Sequence, residues 1–350
     1  MRESLAWGIL STGRMAAKFA AAIRESKTGE LVAVGSRSQA SADAFLPDQE
    51  IANRAGSYDA VLSDPAVAAV YIATPHPMHA EWAIRAAAAG KHVLCEKPLA
   101  MNHAQAESVV AAAREADVFL MEAFMYRCHP QTARILELLR EGAIGELRVI
   151  QAAFSFKGPY DLSSRLLNRR LGGGGILDVG CYPVSIARLL AGAAAGQPFA
   201  EPLELRGCAH IGPESGVDEY AIADMSFPGG ILAQLACGVT VSMQNSVRLY
   251  GTEGRLDIPD PWQPGRGGSA IRLILERAGA TQPEEIAIEA DRGFWAIEAD
   301  TVTAHIEERE APSPAMTWDD SLGNMRALDM WRAAIGLVYD EDGAQRPSGA

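Results

Sequence analysis

The stretch WGILSTGRMAAKFAAAI, residues 7–23, sets the fold class. It has the pattern of an apolar strand, a turn that contains Gly13, and a helix that begins near Arg14. A dinucleotide-binding turn needs a glycine where the backbone passes close to a pyrophosphate, and a small residue where helix meets strand. Gly13 and Ala16 fill these two positions. Ser11 replaces the first glycine of the usual GxGxxG/A pattern, so a purely structural turn is an equal alternative for this stretch alone.

Outward from this turn, the first third of the chain alternates strand-like and helix-like runs. The strand-like runs LVAVGS, AVYIAT and HVLCEKP are separated by helical patterns near residues 39–45 and over residues 79–89. Steady alternation predicts right-handed crossovers and a parallel sheet covered by helices on both faces. The sequence therefore predicts a Rossmann dinucleotide-binding domain over residues 1–124.

Beyond about residue 125 this alternation stops. Long strand-like runs such as LRVIQAAFSF and YAIADMSFPGGILAQLACGVT follow, several of them joined by Gly-rich turns that suit hairpins. The exception is LGGGGILDVGCYPVSIARLLAG, a glycine-rich turn that leads into a helix, and helices return from about Trp295. We expect an α+β domain with a large, mostly antiparallel open sheet over residues 125–340, followed by a loose polar tail at 341–350.

Composition excludes several classes of protein. The chain has 350 residues, of which 48% are hydrophobic and 21% charged, an ordinary balance for two folded domains. A net charge of −13, without any run of lysines or arginines, argues against nucleic acid as a partner. Five scattered cysteines without a CxxC pair argue against a disulfide framework and a zinc site. Without a signal peptide or a bilayer-spanning apolar run, we expect a cytoplasmic protein with no membrane partner.

The first two strand ends predict the cofactor. Backbone amides at the start of the helix after Gly13 would hold phosphates. The second strand ends at Ser36 and Arg37, where NAD-preferring proteins carry an acidic residue. A hydroxyl and a guanidinium suit a 2′-phosphate, which favours NADP(H) over NAD(H). The alternative is that Arg37 is only a solvated surface charge.

Later strand ends add charged and imidazole side chains, and ligands of an open parallel sheet bind beyond such ends. The segments ATPHPMH, HVLCEKP and EAFMYRCHP supply Thr74, Pro75, His76, His79, Glu96, Lys97, Pro98, Glu122, Arg127 and His129. A surface ion pair is the alternative reading of Glu96. His76 and His79 stand three residues apart, as a metal pair could, but no third ligand is evident nearby and no metal site is predicted. The glycine-rich insert adds Asp178 and Tyr182, whose spacing of four can put both on one face of a helical turn.

The motifs TPHPMH, VLCEKPL, EAFMYRCHP and LGGGGILDVGCYP, in this chain order, resemble the Gfo/Idh/MocA oxidoreductases. The resemblance covers nearly the whole chain and weakens after Asp260. Within the family, SRLLNRRLGGGGILDVGCYPVS is similar to the branch that contains dimeric dihydrodiol dehydrogenase, glucose-fructose oxidoreductase and NADP-dependent xylose dehydrogenases. The motifs are specific to the family but not to one substrate.

The resemblance implies roles for single residues. Lys97 would be the family's catalytic lysine, while Glu96 and Pro98 would fix the strand end, often with a cis peptide before the proline. Asp178 lies at the aspartate of the family's DxGxH segment, and Tyr182 replaces its histidine, as in the dihydrodiol and glucose-fructose branch. The alternatives are a packing role for Tyr182 and a capping role for Asp178.

Three groups of site residues follow from the motifs and the resemblance. The catalytic residues would be Lys97, Tyr182 and Asp178. The substrate-binding residues would be Lys97, Arg127, Arg165, Asp178 and Tyr182. The cofactor-binding residues would be Ser11, Thr12, Gly13, Arg14, Met15, Ser36, Arg37, Thr74, Pro75, His76, His79, Glu96, Lys97, Pro98, Glu122 and Arg127. His129 is not assigned to catalysis.

The implied activity is hydride transfer between NADP(H) and a carbinol carbon of a cyclic sugar or polyol, such as an aldopyranose C1 oxidised to a lactone, or the reverse. A phenol beside an ammonium group suits proton removal from the reacting hydroxyl, so Lys97 and Tyr182 would form the proton-transfer pair. The alternatives are a bound cofactor that cycles in sugar–sugar oxidoreduction or glycoside cleavage, a trans-dihydrodiol or anhydrosugar dehydrogenase, and a non-catalytic NADP(H) sensor. From the family, we expect at least a homodimer through the antiparallel sheet.

Overall fold

A computed structural model describes residues 4–343 of the chain. In chain order the strands are β1 (Leu5–Leu10), β2 (Gly29–Gly35), β3 (Asn53–Ala55), β4 (Ala69–Ile72), β5 (His92–Glu96), β6 (Leu120–Ala123), β7 (Leu147–Ser155), β8 (Glu204–Ile211), β9 (Asp218–Phe227), β10 (Ile231–Gly238), β11 (Ser246–Gly251), β12 (Gly254–Ile258), β13 (Ile271–Arg277) and β14 (Glu284–Ile288). The α-helices are α1 (Arg14–Ile23), α2 (Gln39–Asp43), α3 (Tyr58–Leu62), α4 (His79–Ala88), α5 (His103–Glu115), α6 (Met125–Cys128), α7 (Pro130–Arg140), α8 (Cys181–Ala194), α9 (Phe294–Ala304), α10 (Trp318–Ala334) and α11 (Asp340–Gly343).

The first compact unit contains residues up to 100 together with 104–128 and 291–321. Its sheet has the order β3-β2-β1-β4-β5-β6, with every pair of neighbours parallel. From β1, the strand order continues through β2 to β3 on one side and through β4 to β6 on the other. This reversal of strand order leaves a crevice beyond the carboxyl ends of β1 and β4. Trp7, Phe19 and Tyr71 are fully buried in its core, with the rings of Phe19 and Tyr71 stacked 3.9 Å apart.

The second unit contains residues 101–103, 129–290 and the chain from residue 322 onward. Its sheet has the order β14-β13-β12-β11-β7-β10-β9-β8, and only the β7–β10 pair is parallel. Helix α8 is buried almost throughout and packs on β7 and β10, so it covers one face of the sheet. The predicted fold class, a Rossmann domain and a mostly antiparallel α+β domain, is confirmed.

The division of the chain differs from the single boundary that the sequence predicts at residues 124 and 125. Residues 291–321, assigned to the second domain from their position, belong to the first unit. Helix α9 carries Asp300, whose carboxylate accepts hydrogen bonds from the hydroxyls of Ser26 (2.5 Å) and Thr28 (2.6 Å). The sequence could not predict that residues 291–321 pack in the first unit, because the contacts join residues more than 270 positions apart.

The C-terminal prediction also needs a correction. Residues 341–343 are not loose, because they belong to α11, where the Asp342 carboxylate accepts a hydrogen bond from Arg332 at 2.7 Å and from the Tyr339 amide at 2.8 Å. The rest of the predicted tail, residues 344–350, lies outside the described residues.

One stretch passes a length-and-hydropathy test for a membrane span, contrary to the expectation that none would. It covers residues 169–194, and 94% of its most apolar window is buried in the protein. Burial on this scale is typical of a core helix, and α8 forms most of the stretch.

Candidate active site

The turn after β1 keeps the backbone of a dinucleotide-binding loop despite its missing glycine. Ser11 has φ +136°, a conformation that L-residues rarely adopt, at the position of the first glycine of the pattern. Its hydroxyl accepts a hydrogen bond from the Gly13 amide at 3.1 Å. Helix α1 then begins at Arg14 and has no side-chain cap, so no N-cap side chain accepts a hydrogen bond from the amides of its first turn. These features fit a pyrophosphate.

The end of β2 lies beside this turn. The hydroxyls of Thr12 and Ser36 are 3.1 Å apart, which links the first two strand ends through a hydrogen bond. Ser36 is buried, whereas Arg37, the next residue, is exposed. Arg14 is exposed as well, and Met15 is half-buried. The predicted phosphate and ribose residues therefore lie around one strand-end cluster of the first unit.

His79 joins the ends of β4 and β5. Its Nδ1 lies 2.7 Å from the carbonyl oxygen of Pro98, and its Nε2 lies 2.9 Å from that of Thr74. The imidazole is fully buried and makes an edge contact with His76, with ring centroids 5.6 Å apart. Both predicted histidines thus lie at the rim, and His79 fixes the backbone there. Within residues 4–343, no group of three or more His, Cys, Asp or Glu could hold a metal ion.

Lys97 follows β5 directly and is half-buried, and its peptide bond to Pro98 is cis, as the resemblance implies. Glu96, the last residue of the strand, accepts a hydrogen bond from the Tyr71 hydroxyl. A second buried carboxyl, Glu298 of α9, lies near it. Burial first, and then the Glu96 charge, raise the pKa of Glu298 well above its usual range.

Glu122, which is predicted to bind cofactor, supports the backbone after Pro98. It is 1% exposed, and its Oε1 accepts a hydrogen bond from the Leu99 amide at 2.8 Å. Burial raises the pKa of Glu122 to about 7, although hydrogen bonds from Ser321 and Leu99 lower it. With His79 on the Pro98 carbonyl and Glu122 on the Leu99 amide, the segment after Lys97 is held on both sides.

Ligand binding by Arg127 stays a prediction, and the structure gives this residue a buried ion pair. Its side chain is fully buried in the first unit, where the guanidinium forms an ion pair with Asp320 at 2.5 Å and donates to the Pro314 carbonyl at 2.5 Å. A buried pair of this kind cannot release its arginine to a ligand without a large desolvation penalty. The motif EAFMYRCHP placed Arg127 near the strand end, but it could not show which way the side chain points.

In the second unit, the glycine-rich insert places Asp178 in a π-helical turn, Ile176–Gly180, and Tyr182 in the first turn of α8. The single regular helical turn that the spacing predicts is therefore absent. π-Helical turns are rare and concentrate at functional sites. Arg165 donates to the Asp178 carboxylate at 2.6 Å, with 40% of the arginine side chain exposed and 3% of the aspartate. The structure thus brings these two predicted substrate residues together.

Tyr182 lies in an aromatic cluster that the sequence analysis missed. Phe154 of β7 makes an edge contact with its ring at 5.0 Å, and Trp262 does the same at 5.7 Å. Phe154 and Trp262 stack on each other at 5.5 Å, and the Trp262 indole donates to the Ala153 carbonyl at 2.9 Å. The motif DPWQPG after β12, a tryptophan among prolines in a loop, was the available signal for Trp262.

His129 has a structural role, in agreement with its exclusion from catalysis. It is the N-cap of α7, where its Nδ1 accepts a hydrogen bond from the Gln131 amide at 3.1 Å. Burial lowers its pKa to about 4, so the ring is neutral at physiological pH and can act as this acceptor.

A parallel sheet whose carboxyl edge combines a pyrophosphate turn with a lysine is typical of dinucleotide-dependent oxidoreductases. Residues 5–124 match the model of an oxidoreductase family with an NAD-binding Rossmann fold, and residues 132–257 match the Gfo/Idh/MocA C-terminal domain. The chain belongs to the Gfo/Idh/MocA family of oxidoreductases, which confirms the resemblance stated above.

Relatives align over almost their whole length. The trans-1,2-dihydrobenzene-1,2-diol dehydrogenase of Mus musculus is 36% identical over 97% of this chain and 99% of its own. An uncharacterized oxidoreductase of Rhizobium meliloti is 32% identical over 92% of this chain and 94% of its own. Among solved structures, a 3-ketoreductase from Actinomadura kijaniata, in complex with NADP and TDP-benzene, is 28% identical with a TM-score of 0.84, covering 95% of this chain and 98% of that one.

Proposed function

We propose that this oxidoreductase is an NADP(H)-dependent dehydrogenase or reductase that acts on a CH–OH group of a cyclic sugar or polyol. The observation that carries the proposal is the placement of Lys97. It emerges from the carboxyl edge of the parallel sheet, where dinucleotide-binding sheets bind their ligands, and His79 and Glu122 fix the backbone that follows it. Such fixation is what a proton-transfer residue needs.

The chain's own residues would bind, orient and move one proton. Lys97 would donate a hydrogen bond to the oxygen of the reacting hydroxyl. Tyr182 would accept the proton of that hydroxyl as a phenolate during oxidation, and its phenol would return the proton during reduction. Asp178, held by Arg165, would bind a neighbouring hydroxyl of the substrate. The bound nicotinamide would supply the hydride acceptor or donor.

The cofactor proposal is NADP(H) rather than NAD(H). Ser11 and Gly13 supply a turn that fits a pyrophosphate, and Ser36 and Arg37 supply a hydroxyl and an exposed guanidinium instead of a carboxylate at the end of β2. The solved 3-ketoreductase was crystallised with NADP, which supports the same choice.

A trans-dihydrodiol is the second candidate substrate, and the activity named for several relatives favours it. Phe154 and Trp262 line one side of Tyr182 with two stacked aromatic rings. Trp262 is 2% exposed, so only the half-buried Phe154 could contact the apolar face of a substrate ring, whether of a sugar or of a cyclohexadiene diol. Several curated relatives are trans-1,2-dihydrobenzene-1,2-diol dehydrogenases.

The test is turnover of purified protein with aldoses, anhydrosugars and trans-dihydrodiols, followed by NADPH absorbance. We expect Lys97→Met and Tyr182→Phe each to lower kcat by ~100-fold or more, as loss of a general acid or base does, while NADPH still binds. Lys27→Met and Tyr250→Phe are matched controls with exposed or peripheral side chains and should retain turnover. Near-normal activity of both site variants would refute the assignment, and no turnover on any substrate would favour the sensor alternative.

We also propose that the chain forms at least a homodimer through its antiparallel sheet. The face opposite α8 exposes large apolar side chains, including Ile222 and Leu232. A cytoplasmic location stays a prediction.

A further inference from the structure

The glycine run Gly172–Gly175 leads into the π-helical turn, and two of its members, Gly173 and Gly174, are packed too closely for a side chain. A Cβ on Gly173 would lie 2.8 Å from the Leu166 carbonyl oxygen and 3.0 Å from that of Arg165. Gly174 has φ +114° and donates its amide hydrogen to the same Leu166 carbonyl at 2.9 Å. One side of the run therefore lies directly on the backbone of the segment that carries Arg165.

Asp218, the first residue of β9, contacts the other side. It is fully buried, and its Oδ2 accepts a hydrogen bond from the Ile176 amide at 2.6 Å. A Cβ on Gly174 would lie 2.2 Å from Oδ1 and 3.1 Å from the Tyr339 hydroxyl. The Tyr339 hydroxyl in turn donates to the Gly173 carbonyl. Two buried side chains, from β9 and from the segment before α11, thus hold the run in place.

The hydrogen bond from the Ile176 amide to Asp218 lies at the start of the helical segment that contains Asp178 and Tyr182. Ile176 is the first residue of the π-helical turn, and its amide is among those that a helix start leaves without a partner in the helix. A carboxylate at this end also favours the helix electrostatically. Asp178 follows two residues later and Tyr182 six residues later, so a displacement at Ile176 moves both through a short, continuous helix.

Burial of the Asp218 carboxylate destabilises the fold unless its interactions offset the lost hydration. Burial raises the pKa of Asp218 to about 7, against the opposing effect of hydrogen bonds from Ile176 and other backbone amides. Its Oδ1 accepts no hydrogen bond from any residue of the described chain, 4–343. An apolar residue would fill this position more cheaply if only packing mattered.

We propose that Asp218 and Tyr339 are positioning residues, which clamp the glycine run so that the Tyr182 hydroxyl stands where proton transfer requires it and the Asp178 carboxylate stands where it can bind the substrate. Neither residue touches the substrate, and both act through Ile176 and the run. The proposal rests on the proposed function, since it assumes that Tyr182 transfers the proton.

The experiment is a double-mutant cycle on the full chain. We expect Asp218→Ala to lower kcat by ~10-fold or more, because small displacements of a reacting group are expensive. The dissociation constant of NADPH should change by less than ~2-fold, since the phosphate and ribose residues lie on the first unit. The milder Tyr339→Phe should lower kcat by roughly 3-fold or more for the same reason.

Two further variants are controls. In Asp218→Asn the amide oxygen can still accept a hydrogen bond from the Ile176 amide, so this variant should retain most of the activity. Glu285→Gln, a carboxyl-to-amide change in β14 of the same sheet, is the second control.

The decisive readout is non-additivity. If Asp218 acts through Tyr182, adding Asp218→Ala to Tyr182→Phe should lower kcat no further. Full additivity, or normal kcat in both Asp218→Ala and Tyr339→Phe, would overturn the proposal. If Asp218→Ala fails to fold, Tyr339→Phe alone and in the Tyr182→Phe background decides the question in the same way. Normal turnover in Tyr182→Phe would refute the proposed function itself, whereas a large loss there with additive effects of Asp218 and Tyr339 would refute this inference alone.

Discussion

Ser11 has a backbone conformation that glycine adopts freely and serine does not. At φ +136° it costs on the order of 1–3 kcal/mol, and the hydrogen bond between its hydroxyl and the Gly13 amide offsets part of this cost. The loop therefore keeps the path of a glycine turn with a serine in it. Ser11 departs from the GxGxxG/A pattern, but its backbone conformation supports a cofactor-binding turn at the end of β1.

Arg37 is the residue on which the choice of cofactor depends. A carboxylate in its place would repel a 2′-phosphate and could accept hydrogen bonds from a ribose, so Arg37→Asp should weaken NADP binding by ~10-fold or more and NAD binding less. Titration of both cofactors by fluorescence measures the ratio. Arg24→Asp, the same charge change at the exposed C-terminal end of α1, is the control and should not alter the ratio. Equal weakening of both cofactors by Arg37→Asp would show that the 2′-phosphate is recognised elsewhere.

At the scale of elements, the sequence predicts the helices well where an apolar stripe coincides with clear ends. Helix α1 begins at Arg14 as predicted, and α4 ends one residue earlier than predicted. The strands β13 and β14 were missed, because charged residues on an exposed edge interrupt their apolar pattern. The strand-end positions of Lys97 and Ser36 follow from the parallel sheet. The clamp by Asp218 and the aromatic contacts of Trp262 do not, since they join distant segments whose packing no local pattern encodes.

Helix α9 is the clearest case of such distant packing, and Asp300 is its anchor. The Asp300 carboxylate accepts hydrogen bonds from the Ser26 and Thr28 hydroxyls, and also from the amides of Lys27 and Thr28 at 3.1 Å each. Asp300→Ala leaves these donors without an acceptor and should lower the free energy of unfolding of the first unit by about 2–4 kcal/mol.

Urea denaturation of the full chain, followed by a probe of the first unit such as bound NADPH, measures the change. Asp291→Ala removes an acidic side chain from the same segment, but its ion pair with Lys27 is exposed, so we expect little effect. A loss for Asp300→Ala no larger than that for Asp291→Ala would mean that the anchor contributes nothing to stability.

At the scale of the whole molecule, the sheets of the two units differ in how much of their surface is covered. The parallel sheet of the first unit is formed by short strands that are mostly buried, as crossover helices require. The antiparallel sheet of the second unit alternates buried and exposed residues along β9 and β10, with α8 on the buried face. The other face exposes large apolar side chains, Ile222 and Leu232 among them.

The prediction of a homodimer depends on the face of the second unit's sheet that lies opposite α8. Ile222 and Leu232 are 57% and 53% exposed on neighbouring strands, beside a hydrogen-bonded pair of glutamines, Gln151 and Gln234. A two-fold interface would bury the same patch on both copies, so a carboxylate placed there would be desolvated and repelled by its symmetry mate. We expect the double variant Ile222→Asp, Leu232→Asp to elute with the mass of one chain by light scattering, while the parent has the mass of at least two. Val338→Asp, at an equally exposed apolar residue outside the sheet, should leave the parent mass unchanged. A parent of single-chain mass at micromolar concentration, or a double variant that keeps the parent mass, would place any assembly on another surface.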